Sequence, residues 1–122
     1  MTILVSFELN SSENQWSKLF SGKGINFFAD LSSLELKEKS RSIKILIDNQ
    51  TPNVHGDYSS ITKREFQCDE LMYRDLEKDF YKLNLGKGEK SRGSGKIENS
   101  KWQYSPPGSA SGEMIKAICR LR

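Results

Sequence analysis

Isoleucines 43, 45 and 47 alternate with Ser42, Lys44, Leu46 and Asp48 in the stretch SIKILID. A period of two puts the three isoleucines on one face and marks Ser42–Asp48 as a strand. Upstream, Gly22-Lys23-Gly24 reads as a turn between a short strand over 15–21, anchored by Trp16, and an aromatic strand at 25–29 (INFFA). Residues 31–36 (LSSLEL) fit neither the strand nor the helix period cleanly. Residues 37–41 (KEKSR) read as a charged turn. Pro52, Asn53, Gly56 and Asp57 make 49–60 a loop or wide hairpin connection. Residues 61–70 alternate again, with Thr62, Arg64, Phe66 and Cys68 on one side and Phe66 and Cys68 directed at the core.

Two later stretches are less regular. In residues 71–85, Met72, Leu76, Phe80 and Leu83 form a helical stripe, and the Leu, Glu, Lys and Asp content favours a helix. Met72, Leu76 and Phe80 also share parity, so a strand stays open. Residues 86–101 hold four glycines and five lysine or arginine side chains, which suits a flexible basic loop or a hairpin with a free tip. The ending WQYSPPGSASGEMIKAICRLR reads as an extended piece, a proline stop and a helix. Ser109 or Ser111 can cap that helix, and Glu113 suits the positive end of its dipole. Met114, Ile115, Ile118 and Cys119 share one face. Lys116, Arg120 and Arg122 lie elsewhere or in the last turn.

Size and charge narrow the picture. The 122 residues make one domain, with 1–14 as a disordered or leader-derived segment and 15–122 as the folded unit. MTILVSFEL is apolar but has neither a basic flank nor a small-residue cleavage site. Hydrophobic content of 35% and a mean hydropathy of −0.65 leave a small core that a crosslink would help. The two cysteines, Cys68 and Cys119, suggest one bridge and an oxidising compartment. Two buried free thiols in a cytosolic protein are the alternative. A net charge of +3 and a pI near 8.9 fall short of a dedicated nucleic-acid binder, so no nucleic-acid partner is expected. No run of eighteen apolar residues spans a membrane.

Catalytic chemistry is not visible. Glycines 86, 88, 93 and 95 do not form a phosphate-loop pattern. The single histidine, His55, sits in a polar loop and lacks a reactive partner. Two cysteines and one histidine without paired spacing do not make a zinc site. The acidic run Asp69, Glu70, Asp75, Glu77 and Asp79 lacks the glycine turn of a calcium loop. The expectation is therefore no enzyme, no metal and no cofactor. Positive charge gathers at Lys37, Lys39, Arg41 and Lys44, and again at Lys87, Lys90, Arg92, Lys96 and Lys101. Such loops attract polyanions. Ordinary solvated lysines are the other reading.

Several pieces in order resemble the surface-adhesin protein E family of Gram-negative bacteria. They are Trp16, the FFAD segment with Ser33, SIKILID, FQCDE with Cys68, MYRDLEKDFY, Gly86-Lys87-Gly88, and WQYSPPGS with Cys119 near the end. The resemblance covers about residues 15–120. It implies an α+β fold: one antiparallel sheet of about six strands with a C-terminal helix on one face, tethered by a Cys68–Cys119 disulfide. It turns 71–85 into a strand and the glycine segment into a hairpin turn. It also implies an exported protein of the periplasm or outer membrane, peripherally associated, that binds host matrix or serum proteins. Lys87, Lys90, Arg92 and Lys96 are the first candidates for that contact, with Lys37, Lys39 and Arg41 second. A sheet edge can pair with a partner or a second copy. A structural or accessory envelope protein with no host ligand is the alternative.

Overall fold

The computed structural model describes residues 15–121. The expectations for residues 1–14 and for Arg122 lie outside them. Strands β1 (Ser17–Gly22), β2 (Ile25–Leu36), β3 (Arg41–Asn49), β4 (Ser59–Gln67), β5 (Met72–Tyr81), β6 (Gly95–Lys96) and β7 (Gln103–Tyr104) are followed by one helix, α1 (Ala110–Ile118). All strands belong to one antiparallel sheet, in chain order from β1 to β6. The two-residue strands β6 and β7 share the outer edge of β5.

The isoleucine alternation sets the covered face. Directly opposed residues of neighbouring strands share a face, and Ile43 opposes Arg64, Ile45 opposes Thr62 and Ala29, and Ile47 opposes Phe27. Ile43, Ile45, Ala29 and Phe66 are fully buried there beneath Met114, Ile115 and Ile118 of α1. Each large apolar side chain so buried contributes about 1.5–3 kcal/mol. The Cys68–Cys119 bridge fixes the helix to the sheet, with its Cα atoms 5.9 Å apart and its cysteines 51 positions apart in sequence. Cys68 lies one residue past the end of β4, in the turn to β5.

Both helix ends are satisfied. The Ser109 hydroxyl accepts from the Gly112 amide at 3.1 Å. At the other end the Arg41 guanidinium donates to the carbonyls of Ile118 (3.1 Å) and Leu121 (2.5 Å), placing a cation at the negative end of the dipole. A Cβ on Gly112 would lie 2.1 Å from the Pro106 carbonyl oxygen, so the proline turn and the first helical turn touch only because that residue is glycine.

Residues 71–85 are not a helix: β5 runs through them. A register shift opposite Lys63 and Arg64 leaves Leu76 unpaired and reverses the parity after it. Tyr73, Asp75, Lys78 and Phe80 therefore face α1, and Arg74, Glu77, Asp79 and Tyr81 face away. The apparent Met72-Leu76-Phe80 stripe spans this bulge. Residues 31–36 resisted assignment for a similar reason. They belong to β2, but its register shifts between Asp30 and Glu35, and Ser33 Oγ accepts the Lys44 amide at 2.9 Å.

Candidate ligand-binding surfaces

The segment after β5 folds back along the sheet edge. The Ser91 amide donates to the Phe80 carbonyl at 2.8 Å and the Ile97 amide to the Leu76 carbonyl at 2.9 Å. The hairpin alternative for 86–101 is the one realised. It starts in a single 3-10 turn, Asn84–Gly86. Asp48, almost fully buried, accepts from the Leu85 amide (2.7 Å) and from Asn84 Nδ2 (3.0 Å). Ser59 Oγ accepts from the Gly86 amide at 2.8 Å and donates to the Leu83 carbonyl at 2.6 Å. The turn is thus clamped onto the face opposite α1, where it covers Ile61 and Leu46. Gly88 takes a left-handed φ of 84°, and a Cβ there would stand 2.6 Å from Leu83 Cγ.

A second clamp joins the 49–58 loop to this hairpin. Asp57, 4% exposed, accepts from the Ser91 hydroxyl and from Lys82 Nζ at 3.1 Å. The Ser91 bond lowers the Asp57 pKa most; burial opposes it, and Lys82 and Asn53 add to the lowering. Between the two loops lies a cavity of about 510 Å³ lined by His55, Phe80, Lys90 and Arg92 among others.

The basic residues singled out by sequence do not form one patch. Lys87, Lys90 and Arg92 are exposed on the hairpin, near the end of the sheet that carries Tyr81 and Asn49. Lys90 pairs with Asp79 at 3.5 Å. Lys96 lies along the edge, opposite Glu77. Lys37 and Lys39 are exposed in the turn after β2, at the other end of the sheet. Arg41 is tied to the helix carbonyls. Cys68 and Cys119 come together as the disulfide. Among the described residues no three His, Cys, Asp or Glu side chains form a group that could hold a metal ion.

The face away from α1 carries chemistry that sequence reading did not single out. Glu65 is buried and accepts from Arg74 Nε (2.9 Å) and from the Ser40 hydroxyl (2.8 Å). Burial pushes its pKa up, but these two bonds and the charges of Arg74 and Lys37 outweigh that and leave it lowered. The Arg74 guanidinium in turn stacks on Trp102, 4.4 Å from the ring centroid. Asp30 is lowered in the same way: burial raises it, while bonds from Gln15 and Ser32 and the charge of Lys44 pull it down further. Asp48, Asp57 and Glu65 were findable only as polar residues at strand ends or at outward parity. Apart from Asn53 beside Asp57, their partners are 9 to 37 positions away in sequence.

Comparison with known proteins agrees with this architecture. The model of the surface-adhesin protein E family matches residues 16–120. No curated protein matches the sequence. Crystal form II of Haemophilus influenzae protein E superposes with a TM-score of 0.62 at 14% identity, covering 84% of this chain and 91% of that one. A second Haemophilus influenzae protein E structure gives a TM-score of 0.64 at 13% identity over 87% of this chain and 84% of that one. Protein E from a non-typeable strain gives 0.60 at 15%, over 87% and 76%. These likenesses establish a shared fold. The family match, which takes in both Trp16 and Cys119, places the chain in the surface-adhesin protein E family.

Proposed function

We propose that the protein attaches to host extracellular-matrix or serum proteins through the basic hairpin of residues 87–96. Membership of a surface-adhesin family implies an exported, cell-surface, non-enzymatic protein. No helix among the described residues is long and apolar enough to cross a membrane. The observation that carries the reading is the hairpin itself. It is fixed by the Asp48 and Asp57 clamps, yet it presents Arg92 and Lys96 exposed, with no ion pair to either among the described residues. A fixed loop loses little conformational freedom on binding, and unpaired rim cations speed the encounter with acidic partners. Lys37 and Lys39, at the opposite end, form a second and separate contact. The edges of β1 and β7, which pair with no further strand among the described residues, offer backbone groups for pairing with a partner strand or a second copy.

One observation favours the accessory-protein reading. Lys90 is paired with Asp79 and Arg41 serves the helix, which leaves fewer cations for a ligand. Binding to immobilised matrix proteins such as vitronectin or laminin separates the two. The adhesin reading expects saturable binding at low salt that weakens towards physiological salt. Charge reversal at Lys87, Lys90, Arg92 and Lys96 should weaken it further, by at least ~10-fold. No saturable binding at low salt would leave the accessory role.

A further inference from the structure

The face opposite α1 carries a row of charges running straight across four strands and onto a fifth. Asp30 opposes Lys44, Lys44 opposes Lys63, Lys63 opposes Glu77, and Glu77 opposes Lys96. The signs alternate except at the centre, where two lysines stand directly against each other. A like-charge pair in that position is destabilising. Neither Lys44 nor Lys63 makes an ion pair among the described residues. The two lysines lie in a trough of about 340 Å³, within the size range of ligand pockets. Next to them the trough is lined by Trp16, Ile61, Tyr81 and Leu85, and by Lys87 of the clamped turn. Gln15, Glu77 and Asp79 supply hydrogen-bonding groups on the same surface. Three segments that look unrelated in sequence thus converge: the Trp16 end, the outward positions of β3 to β5, and the Gly86-Lys87-Gly88 turn.

We infer that this trough binds a carboxylate-bearing sugar unit of a glycan chain. The carboxylate bridges Lys44 and Lys63 and removes their repulsion. The apolar face of the sugar ring lies on the Trp16 and Tyr81 side. The ring hydroxyls donate to Glu77, Asp79 and Gln15, an arrangement that suits a polyol with one carboxylate and disfavours a peptide with a charge at every residue. Lys87 is shared with the hairpin reading, but Arg92 does not line the trough, so the two readings can be separated at that residue.

The test uses the Trp102→Phe variant, which leaves Trp16 as the one indole of the chain's two. Its emission is followed while sialyllactose or a hyaluronan tetrasaccharide is added, with lactose and chitotetraose as neutral counterparts and oligoglutamate as an acidic peptide. The first two probes distinguish a terminal acidic sugar from an in-chain one. The inference expects a saturable change with at least one acidic sugar and affinity at least ~10-fold lower for the neutral sugars, the size of one lost charge-assisted contact. Lys44→Gln should weaken binding by a similar factor, and Tyr81→Ala should weaken acidic and neutral sugars alike. Arg92→Glu, outside the trough and the row of charges, should leave sugar binding unchanged while it lowers binding to matrix proteins, so the two readings fail separately. Equal affinity for neutral and acidic sugars, equal affinity for oligoglutamate, or no saturable change with any sugar overturns the inference. In the unmodified chain, the backbone amide signals of Lys44 and Lys63 should shift saturably on titration with the same acidic sugar; signals that stay in place overturn the inference as well.

Discussion

The two faces of the sheet are held by different physics. Beneath α1, Ile43, Ile45, Phe66, Met114 and Ile118 are almost wholly excluded from solvent. Stability there grows mainly with buried area and tolerates apolar side chains of similar volume, with the Arg64–Asp75 ion pair added at its margin. On the opposite face Leu46 is the only fully buried apolar residue among the described residues, and much of the remaining order comes from directed contacts. Glu65 is held by Arg74 and Ser40, and Asp48 by the turn at Asn84–Gly86. The first face makes the fold. The second, where charged groups stay within reach of water and are set by geometry, is the one on which recognition is proposed.

Separating the faces begins with the disulfide, where the largest effect is expected. Cys68→Ser with Cys119→Ser releases a loop of 51 residues, worth about 4 kcal/mol on the chain-entropy account. Because α1 covers the main core, the loss should be global. A single melting transition should move down together whether it is followed by backbone circular dichroism or by tryptophan emission from the open face. Two separated transitions would mean that the faces are independent units. Asp48→Ala, by contrast, should act locally. It strips the Leu85 amide and Asn84 of their shared acceptor at a cost of about 1–3 kcal/mol. Hydrogen exchange should quicken at Leu85 and Gly86 and stay unchanged at Ile45. Faster exchange across β3 would show that the turn supports the core as well as the open face.

The contrast also explains what the sequence made legible. The covered face leaves a periodic trace, so the SIKILID strand, the inward Phe66 and the Met114-Ile115-Ile118-Cys119 stripe could all be read from spacing. Periodicity failed where the register slips. One bulge hid residues 31–36 within β2, and another made Met72, Leu76 and Phe80 look like a helix stripe. Family resemblance corrected the second because it carries long-range information that local spacing lacks. The open face was hardly legible at all. Lys44 and Lys63 are 19 positions apart, and nothing local predicts that they meet across β3 and β4. The basic clusters were visible as composition, yet composition could not show that Arg41 caps a helix or that the two groups lie at opposite ends of the sheet.

The smallest expected effect is a pH dependence confined to the open face. Burial raises the pKa of the Glu65 carboxyl, but the bonds from Ser40 and Arg74 and the nearby positive charge leave it lowered in the folded protein. A carboxyl lowered on folding binds fewer protons than in the unfolded chain. Its contribution is therefore complete above the unfolded value of about 4.3 and fades as pH falls through the lower folded value. Asp30 and Asp57 are lowered too and add to the same acid limb, so replacing one group should reduce the slope without abolishing it. Glu65→Gln keeps the shape and cannot ionise. Relative to the unmodified chain it should melt lower at neutral pH, with the difference closing as the pH drops below about 4. A constant difference across that range would mean that Glu65 acts through packing alone, and the open face would then be held by the same physics as the covered one.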